Sequence, residues 1–363
     1  MKWVIAAPFV DVTNVGQANW LEPFVPGNRH QFYHVPRSQP LQKWHDRKSK
    51  ITGVKDWMIY WEQAKHSLQQ DADGLITVFP QLASAVGMQQ ILCLKQRKPI
   101  ISWLFNVGTC SLGLRQRMAQ LSLRHIDRFV VHTRRECEIY SHWLKLPIER
   151  FEFVPYQAPN IKIEYEENTD KPFVTSLGSA HRDFPNFFKA VEKLKLPTVL
   201  AAGPTALESI EVPPLVQTPF GISRQDCFRL AQQGRIVVVP LKPKDDITAA
   251  GQVTIVEAMR MGRPVIATRC NGAEDYIIHG ETGLLVEPNS WKSMAEAIEL
   301  LWYDDALRQR LGQAAKRYAD ENFSDEAAGA NLGRILDHVA DNVADRANLG
   351  RVFDNMAGLV SPP

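Results

Sequence analysis

Cysteine is scarce. The chain holds five in 363 residues (Cys93, Cys110, Cys137, Cys227 and Cys270), odd in number and never spaced as C-x-x-C. That pattern excludes a disulfide framework and a cysteine-based zinc site, and it fits a reducing cytoplasm. Long apolar runs are missing too. No segment approaches the roughly 20 apolar residues needed to span a bilayer. Residues 1–10 are apolar, but Pro8 and Asp11 interrupt them too early for a secretory signal, so they read as a buried first strand. There is no Walker motif, no G-x-G-x-x-G and no nucleophile elbow. Gly178-Ser179-Ala180 satisfies none of these, and Ser102, Ser111 and Ser176 stand in no such context. P-loop hydrolysis, nicotinamide binding and serine-based hydrolysis therefore lack support.

What is present is ordinary globular material: 45% hydrophobic residues and 23% charged. A chain of this length accommodates two cores. Net charge is only +2, yet residues 1–160 hold about 20 Lys and Arg against about 12 Asp and Glu. A basic first half suits an anionic acceptor or a lipid surface. The arginines 115, 117, 124, 128, 134 and 135 have too few interleaved aromatics for a nucleic-acid surface.

Short apolar runs alternate with helical patterns. Strands are expected at 2–7, 74–79, 99–105, 128–132 and 151–154, with helices at 56–70, 82–96, 114–125 and 135–144. The polar stretch 157–170 breaks the rhythm and reads as a linker. Strands then recur at 173–177, 198–202, 236–241, 264–268 and 284–286, and helices at 186–194, 224–232, 254–261, 291–303 and 306–322. Strand–helix alternation of this kind gives parallel βαβ units. The expected fold is α/β: two Rossmann-like domains, 1–160 and 171–330, facing across a cleft. An Ala-rich helical tail, 331–363, follows and is expected to pack back on the first domain.

Residues 236–289 carry the chemistry. After the strand IVVVPL comes a polar loop with Lys242, Lys244 and Thr248, then Gly251 and a helix. Gly251 lets backbone approach a ligand. The amides of Gln252, Val253 and Thr254 fall in the helix's first turn, where they lack intrahelical partners and favour an anion such as a diphosphate. Glu257 lies one turn on, where a carboxylate can accept from two ribose hydroxyls. Lys242 or Lys244 can neutralise phosphate without a metal.

The segment EAMRMGRPVIATRCNGAEDYIIHGETGLLVEPNSWKSMAEAI closely resembles the C-terminal domain of GT-B glycosyltransferases, family 4 (group 1) in particular. HIDRFVVHTRRECEIYSHWLKLPIERFEFVPY and PFVTSLGSAHRDFPNFFKAVEKL resemble the units on either side of the interdomain boundary. The likeness covers about 125–325 well and the first 120 residues weakly. It implies a nucleotide-sugar-dependent glycosyltransferase, metal-independent and retaining, that moves a hexosyl group from UDP- or GDP-sugar to an acceptor hydroxyl on a glycan, a lipid or a small molecule. No separate cofactor is implied. By the same resemblance Glu257 binds ribose and the amides at Gln252 and Val253 bind phosphate. Ser179 and Arg182 lie in a phosphate-binding loop, Phe220, Gly221 and Ile222 flank the base, and Gly16 and Gln17 lie in a glycine loop near the donor. The catalytic candidates are Asn106, Arg182 and Lys244, with Thr248, Gly251 and Thr254 completing the donor site. The acceptor is expected near 13–20 and 106–109.

Two positions depart from the family. The first glutamate of its E-x7-E motif falls at Ala249, and a histidine common after the third strand is replaced by Asn106, which cannot act as a base at neutral pH. These departures keep two other readings open: a non-catalytic GT-B protein that binds nucleotide or carbohydrate, and a GT-B sugar-nucleotide epimerase. Asp71-Ala72-Asp73 and the pair His30 and His34 are set aside as metal ligands, the first because it precedes its strand, the second because no helix carries it. Trp44, Trp57 and Trp61 can stack on sugar, meet lipid, or simply pack. The expected location is the cytoplasm, with peripheral contact at the inner membrane face.

Overall fold

A computed structural model describes residues 1–14, 20–39, 53–92, 97–244 and 249–358, with side chains to residue 345. Among these residues the strands form two six-stranded sheets, parallel throughout. The first holds β1 (Lys2–Ala6), β2 (Gln31–His34), β3 (Gly74–Val78), β4 (Ile100–Trp103), β5 (Arg128–Val131) and β6 (Phe151–Phe153), in the order β2-β1-β3-β4-β5-β6. The second holds β7 (Val174–Leu177), β8 (Thr198–Ala201), β9 (Val216–Gln217), β10 (Ile236–Val239), β11 (Val265–Thr268) and β12 (Leu284–Val286), in the order β12-β11-β10-β7-β8-β9. Both are α/β sheets of the doubly wound kind.

The residue choice explains the sheets. GLITV in β3, IVVV in β10 and VIAT in β11 are buried at every position. They have apolar side chains on both faces, so helices must cover both. Each fully buried Val, Ile or Leu contributes about 1.5–3 kcal/mol. On the first sheet, α1 (Val54–Gln69), α2 (Pro80–Leu92), α3 (Leu114–Leu123) and α4 (Arg134–Leu144) cover one face, sharing a core with Val4, Leu75, Ile100 and Phe129. The second sheet is wrapped by α5 (Phe184–Leu194), α6 (Arg224–Gln233), α7 (Gln252–Arg260), α8 (Trp291–Tyr303) and α9 (Asp305–Asn322).

The last helix, α10 (Asp325–Gly358), returns to the first sheet. Its Ala328, Leu332, Ile335 and Val339 share a core with Trp3, Ile5, Ile76 and Val130, on the face opposite α1–α4. Gly329 permits the approach, since a Cβ there would sit 2.4 Å from Phe24 Cβ. Arg29 pairs with Asp337 and Asp341 on its outer side.

Residues 157–170 hold neither helix nor strand, but they do not hang free. Ala158 and Ile161 are buried in the second half's core, the Ala158 N–H donates to Phe323 O at 3.0 Å, and Gln232 Oε1 accepts from the Glu164 and Tyr165 amides at 2.9 and 3.0 Å.

The halves are joined near one point. The Tyr276 hydroxyl donates to His132 O at 2.6 Å and accepts from the Tyr156 N–H at 2.9 Å. Asp275 Oδ2 accepts from the Arg134 N–H at 2.8 Å, so a carboxylate of the second half caps α4 of the first. Gly272, at φ +84°, lies so close to Thr133 that a Cβ would meet its Cγ2 at 2.2 Å. Gly272→Ala is therefore expected to destabilise the protein by more than the roughly 1–3 kcal/mol of a left-handed non-glycine residue. Gly280→Ala, at φ +81° with nothing within 4 Å, carries the backbone cost alone. Denaturant unfolding of the two variants measures the difference, and equal values would show that the junction is slack.

Candidate functional site

In the second sheet β7 lies between β10 and β8, so the chain order reverses there. Loops leaving two such strands diverge and open a crevice beyond their C-terminal ends. Here the loops after β7 and β10 are stitched together. Arg182 and Leu241 form a β-bridge, the Lys242 N–H donates to His181 O at 2.9 Å, and the Asp183 N–H to Pro240 O at 2.9 Å.

Helix α7 begins in this crevice. Gly251 is its N-cap at φ +90°, with no side chain capping it. The first intrahelical bond runs from the Ile255 N–H to Gly251 O at 3.0 Å, which leaves the amides of Gln252, Val253 and Thr254 in the free first turn. Gly251 is needed twice over, for its left-handed backbone and because a Cβ would lie 2.8 Å from Leu241 Cδ2. The Gln252 side chain turns away and donates to Asn271 O at 2.7 Å, tying the helix start to the loop after β11. Val253 is exposed and Thr254 half-buried.

Arg182 reaches the same turn. Its Nη2 donates to Thr254 Oγ1 at 3.1 Å and to Leu177 O at 3.1 Å, and its Nη1 to Ala180 O at 2.8 Å. Room for the guanidinium comes from Gly178, at φ +89°, where a Cβ would stand 2.8 Å from Nη2. Burial lowers its pKa to about 10, so it stays charged at neutral pH. Among the described residues no carboxylate pairs with it, and its Nε is buried without a partner. A desolvated cation at the positive end of a helix dipole is electrostatically unfavourable until an anion joins it. Arg182 and α7 together describe an anion site.

Glu257, one turn into α7, accepts from Arg224 Nη2 at 2.6 Å. Burial raises its pKa, and Arg224 partly offsets this. Arg224 is exposed and lies over the Phe228 ring at 5.2 Å. The expected pair of ribose hydroxyls would need both Glu257 oxygens, but Oε1 already accepts from Arg224. The pair is 33 residues apart in sequence, and no local spacing announces it.

The other candidates fall around this core. Ser179 is exposed, and its Oγ accepts from the Gly203 N–H at 2.7 Å. Gly221, at φ +69°, and Phe220 are exposed on the approach to α6, and Ile222 is half-buried against the α7 core. Lys244 is exposed on the loop after β10. Thr248, Gly16, Gln17 and Trp44 lie outside the described residues. Asn106 belongs to the other half, exposed after β4, with its Oδ1 accepting from the Gly108 N–H at 2.7 Å. Asp71 and Asp73 bind the Lys2 ammonium and amide, His30 meets Trp3 and Asp337, and His34 meets Glu22. Among the described residues no three His, Cys, Asp or Glu side chains are grouped to hold a metal ion, and no helix is long and apolar enough to cross a membrane.

Residues 205–318, which include the α7 turn and its supporting loops, match the family model for glycosyl transferases group 1. Over that stretch, less than half of the chain, the protein is similar to group 1 glycosyl transferases. Two curated relatives agree. The capsular polysaccharide biosynthesis glycosyltransferase CapM of Staphylococcus aureus is 40% identical over 76 residues, 21% of this chain and 20% of the relative. The alpha-D-kanosaminyltransferase of Streptomyces kanamyceticus is 35% identical over 102 residues, 28% of this chain and 25% of the relative. The matches thus span only a fifth to a quarter of these relatives' lengths.

Solved structures extend the likeness to nearly the whole chain at the level of fold. Sucrose-phosphate synthase from Thermosynechococcus elongatus superposes with a TM-score of 0.69 at 15% identity, covering 94% of this chain and 100% of its own. Anabaena HepE in complex with UDP-glucose superposes with a TM-score of 0.64 at 13% identity, with the same coverage. The architecture is that of the GT-B fold.

Proposed function

We propose that this protein is a glycosyltransferase that moves a hexosyl group from a UDP- or GDP-sugar to an acceptor hydroxyl, with retention at the anomeric carbon and without a metal. The observation that carries the reading is the convergence of the uncapped α7 turn and the Arg182 guanidinium, which among the described residues has no carboxylate partner. UDP is the favoured base carrier, because HepE binds UDP-glucose on the same fold.

In this reading the donor diphosphate lies against the amides of Gln252, Val253 and Thr254 and against Arg182, with Lys244 reaching it from the exposed loop. Glu257 accepts from the ribose through the oxygen that Arg224 leaves open, and Gly221 and Ile222 border the base. The bond from the anomeric carbon to the diphosphate oxygen breaks, and the acceptor oxygen bonds that carbon on the same face. The acceptor proton passes to the departing phosphate oxygen, so no side-chain base is required and Asn106 serves to orient the acceptor. Fixed amides and Arg182 meet the charge that develops on the leaving group.

Ala249 favours a second reading, because the family's first glutamate is missing where the donor sugar would lie: nucleotide binding without transfer. Two measurements separate these. A nucleotide that binds the folded state raises its stability by about 2.7 kcal/mol at 100 times Kd, so UDP or GDP is expected to raise the unfolding temperature well above uridine. Incubation with UDP-hexoses is then expected to release UDP. Binding without release over long incubation would establish the second reading, and no stabilisation by any nucleoside diphosphate would remove both.

A further inference from the structure

Every crossover from β2 to β6 steps the same way across the first sheet, so α1, α2, α3 and α4 form one layer. Within it α2 is sunk. It is mostly buried, and Gly87 lets Ser122 O come so near that a Cβ would clash at 2.0 Å. Helices α1 and α3 stand proud on either side, each with an outward apolar stripe. On α1 the stripe is Val54, Trp57, Met58 and Trp61, at helical positions i, i+3, i+4 and i+7, with Met58 65% exposed. On α3 it is Leu114, Met118 and Leu121, with Leu114 76% exposed. Both helices start beyond the C-terminal ends of their preceding strands, the edge where the cleft opens. Phe79 at the end of β3, and Phe9 and Val12 beyond β1, are exposed at the same edge.

The charge beside the α3 stripe has one sign, whereas that beside α1 is mixed. From Cys110 to Ile126 the sequence contains no acid, while Arg115, Arg117 and Arg124 flank the α3 stripe and Lys55 and Lys65 flank that of α1. Among the described residues Arg115 and Arg117 pair with no carboxylate. The two acids on α1, Asp56 and Glu62, accept from the Gly53 amide and the Ser38 hydroxyl and keep their charge, so the cationic character of this face comes from α3. A cleft of about 470 Å³, lined by Cys110, Leu112, Ile139 and Trp143 with Glu138 and His142 at its polar side, opens beside α3.

We infer that the outer face of α1 and α3 docks on a bilayer surface bearing anionic lipid headgroups, and that the acceptor hydroxyl is presented from that surface. The second clause rests on the glycosyltransferase reading; the first stands without it. Apolar side chains flanked by arginine, as on α3, suit a headgroup boundary, where the stripe enters the acyl region and the cations stay among the phosphates. A second copy of this chain fits less well, because a two-fold contact would set one arginine-rich face against another. Docking at this edge would turn the cleft mouth towards the membrane and leave the donor half in solution.

Flotation of the full chain with vesicles tests it. Binding is expected to phosphatidylcholine vesicles mixed with phosphatidylglycerol, to fall with added salt, and to be weak with phosphatidylcholine alone. Arg115→Ser and Arg117→Ser are each expected to weaken it about fivefold. The double variant Leu114→Ser, Met118→Ser is expected to weaken it by about tenfold or more, while Tyr303→Ser, an exposed aromatic on the donor half, leaves it unchanged. All variants should keep the thermal shift with UDP or GDP, so failure here and failure of the donor site are read separately. Equal binding to both vesicle types, binding to neither, or no effect of the double variant overturns the proposal. So does a dimer by light scattering that the double variant dissociates, which would assign the face to a second copy.

Discussion

Replacing Arg182 with methionine is expected to weaken UDP or GDP binding on the order of 100-fold while leaving binding of the nucleoside alone nearly unchanged. The guanidinium donates to two carbonyls and to Thr254 Oγ1, and among the described residues it has no acidic partner. The buried Arg260 and Arg308 neutralise carboxylates of this protein, Asp320 and Glu167, whereas Arg182 is half-buried. Arg182 instead adds positive charge where the α7 dipole is already positive. The favourable interaction is missing from the free protein and appears when an anion binds, so truncation is felt in the complex more than in the fold. Arg182→Lys keeps the charge but loses the fork, and is expected to fall between the two. Calorimetry with UDP, GDP and uridine measures all three. Equal losses for nucleoside and nucleotide would mean that Arg182 acts through structure and not through phosphate.

Gly251→Val is expected to be the most damaging single change in the donor half. The residue sits at φ +90°, a conformation that costs a β-branched side chain about 1–3 kcal/mol. Its Cβ would also press on Leu241 Cδ2 at 2.8 Å and Val239 Cγ1 at 3.2 Å, both in the buried core. Relief through the left-handed backbone requires the start of α7 to move, which moves the three first-turn amides. Stability and nucleotide affinity are therefore expected to fall together. Gly262→Ala provides the contrast. At φ +68° it shares the backbone cost, but its nearest neighbour would be 3.6 Å away and it lies at the far end of α7. It should lower the unfolding midpoint while leaving nucleotide affinity intact. If Gly251→Val binds UDP as tightly as the parent, the helix start is not where the diphosphate sits.

The strands most legible in the sequence are those buried on both faces, because burial makes nearly every side chain apolar, Thr77 of β3 and Thr268 of β11 being exceptions. β3, β10 and β11 are of this kind, and their bounds fall within two residues of the expected ones. β2 was missed for the converse reason. QFYH lies at a sheet edge, half-exposed, and carries no apolar run. β9 has two residues, too few for any period to register. The stretch 157–170 looked like a linker because its polar side chains dominate, yet its backbone amides and two small apolar side chains bind it to the second half.

At the site, the local features could be read and the long-range ones could not. Gly251 before a helix start, with Glu257 one turn on, is a pattern within a few residues. The pairing of Glu257 with Arg224, the bolt made by Tyr276 and the approach of Arg182 to Thr254 across 72 residues depend on how strands are ordered in the sheet. The exposed stripes of α1 and α3 lay between. Their aromatic and apolar residues were visible, but only the packing shows which of them the core leaves outside.

Hydrogen exchange at the start of α7 bears most directly on the account. Without nucleotide, the amides of Gln252, Val253 and Thr254 are expected to exchange rapidly, and saturating UDP or GDP should slow them markedly while exchange at the start of α5 stays constant. If calorimetry shows the nucleotide bound and those three amides exchange as before, the diphosphate lies elsewhere and the account fails.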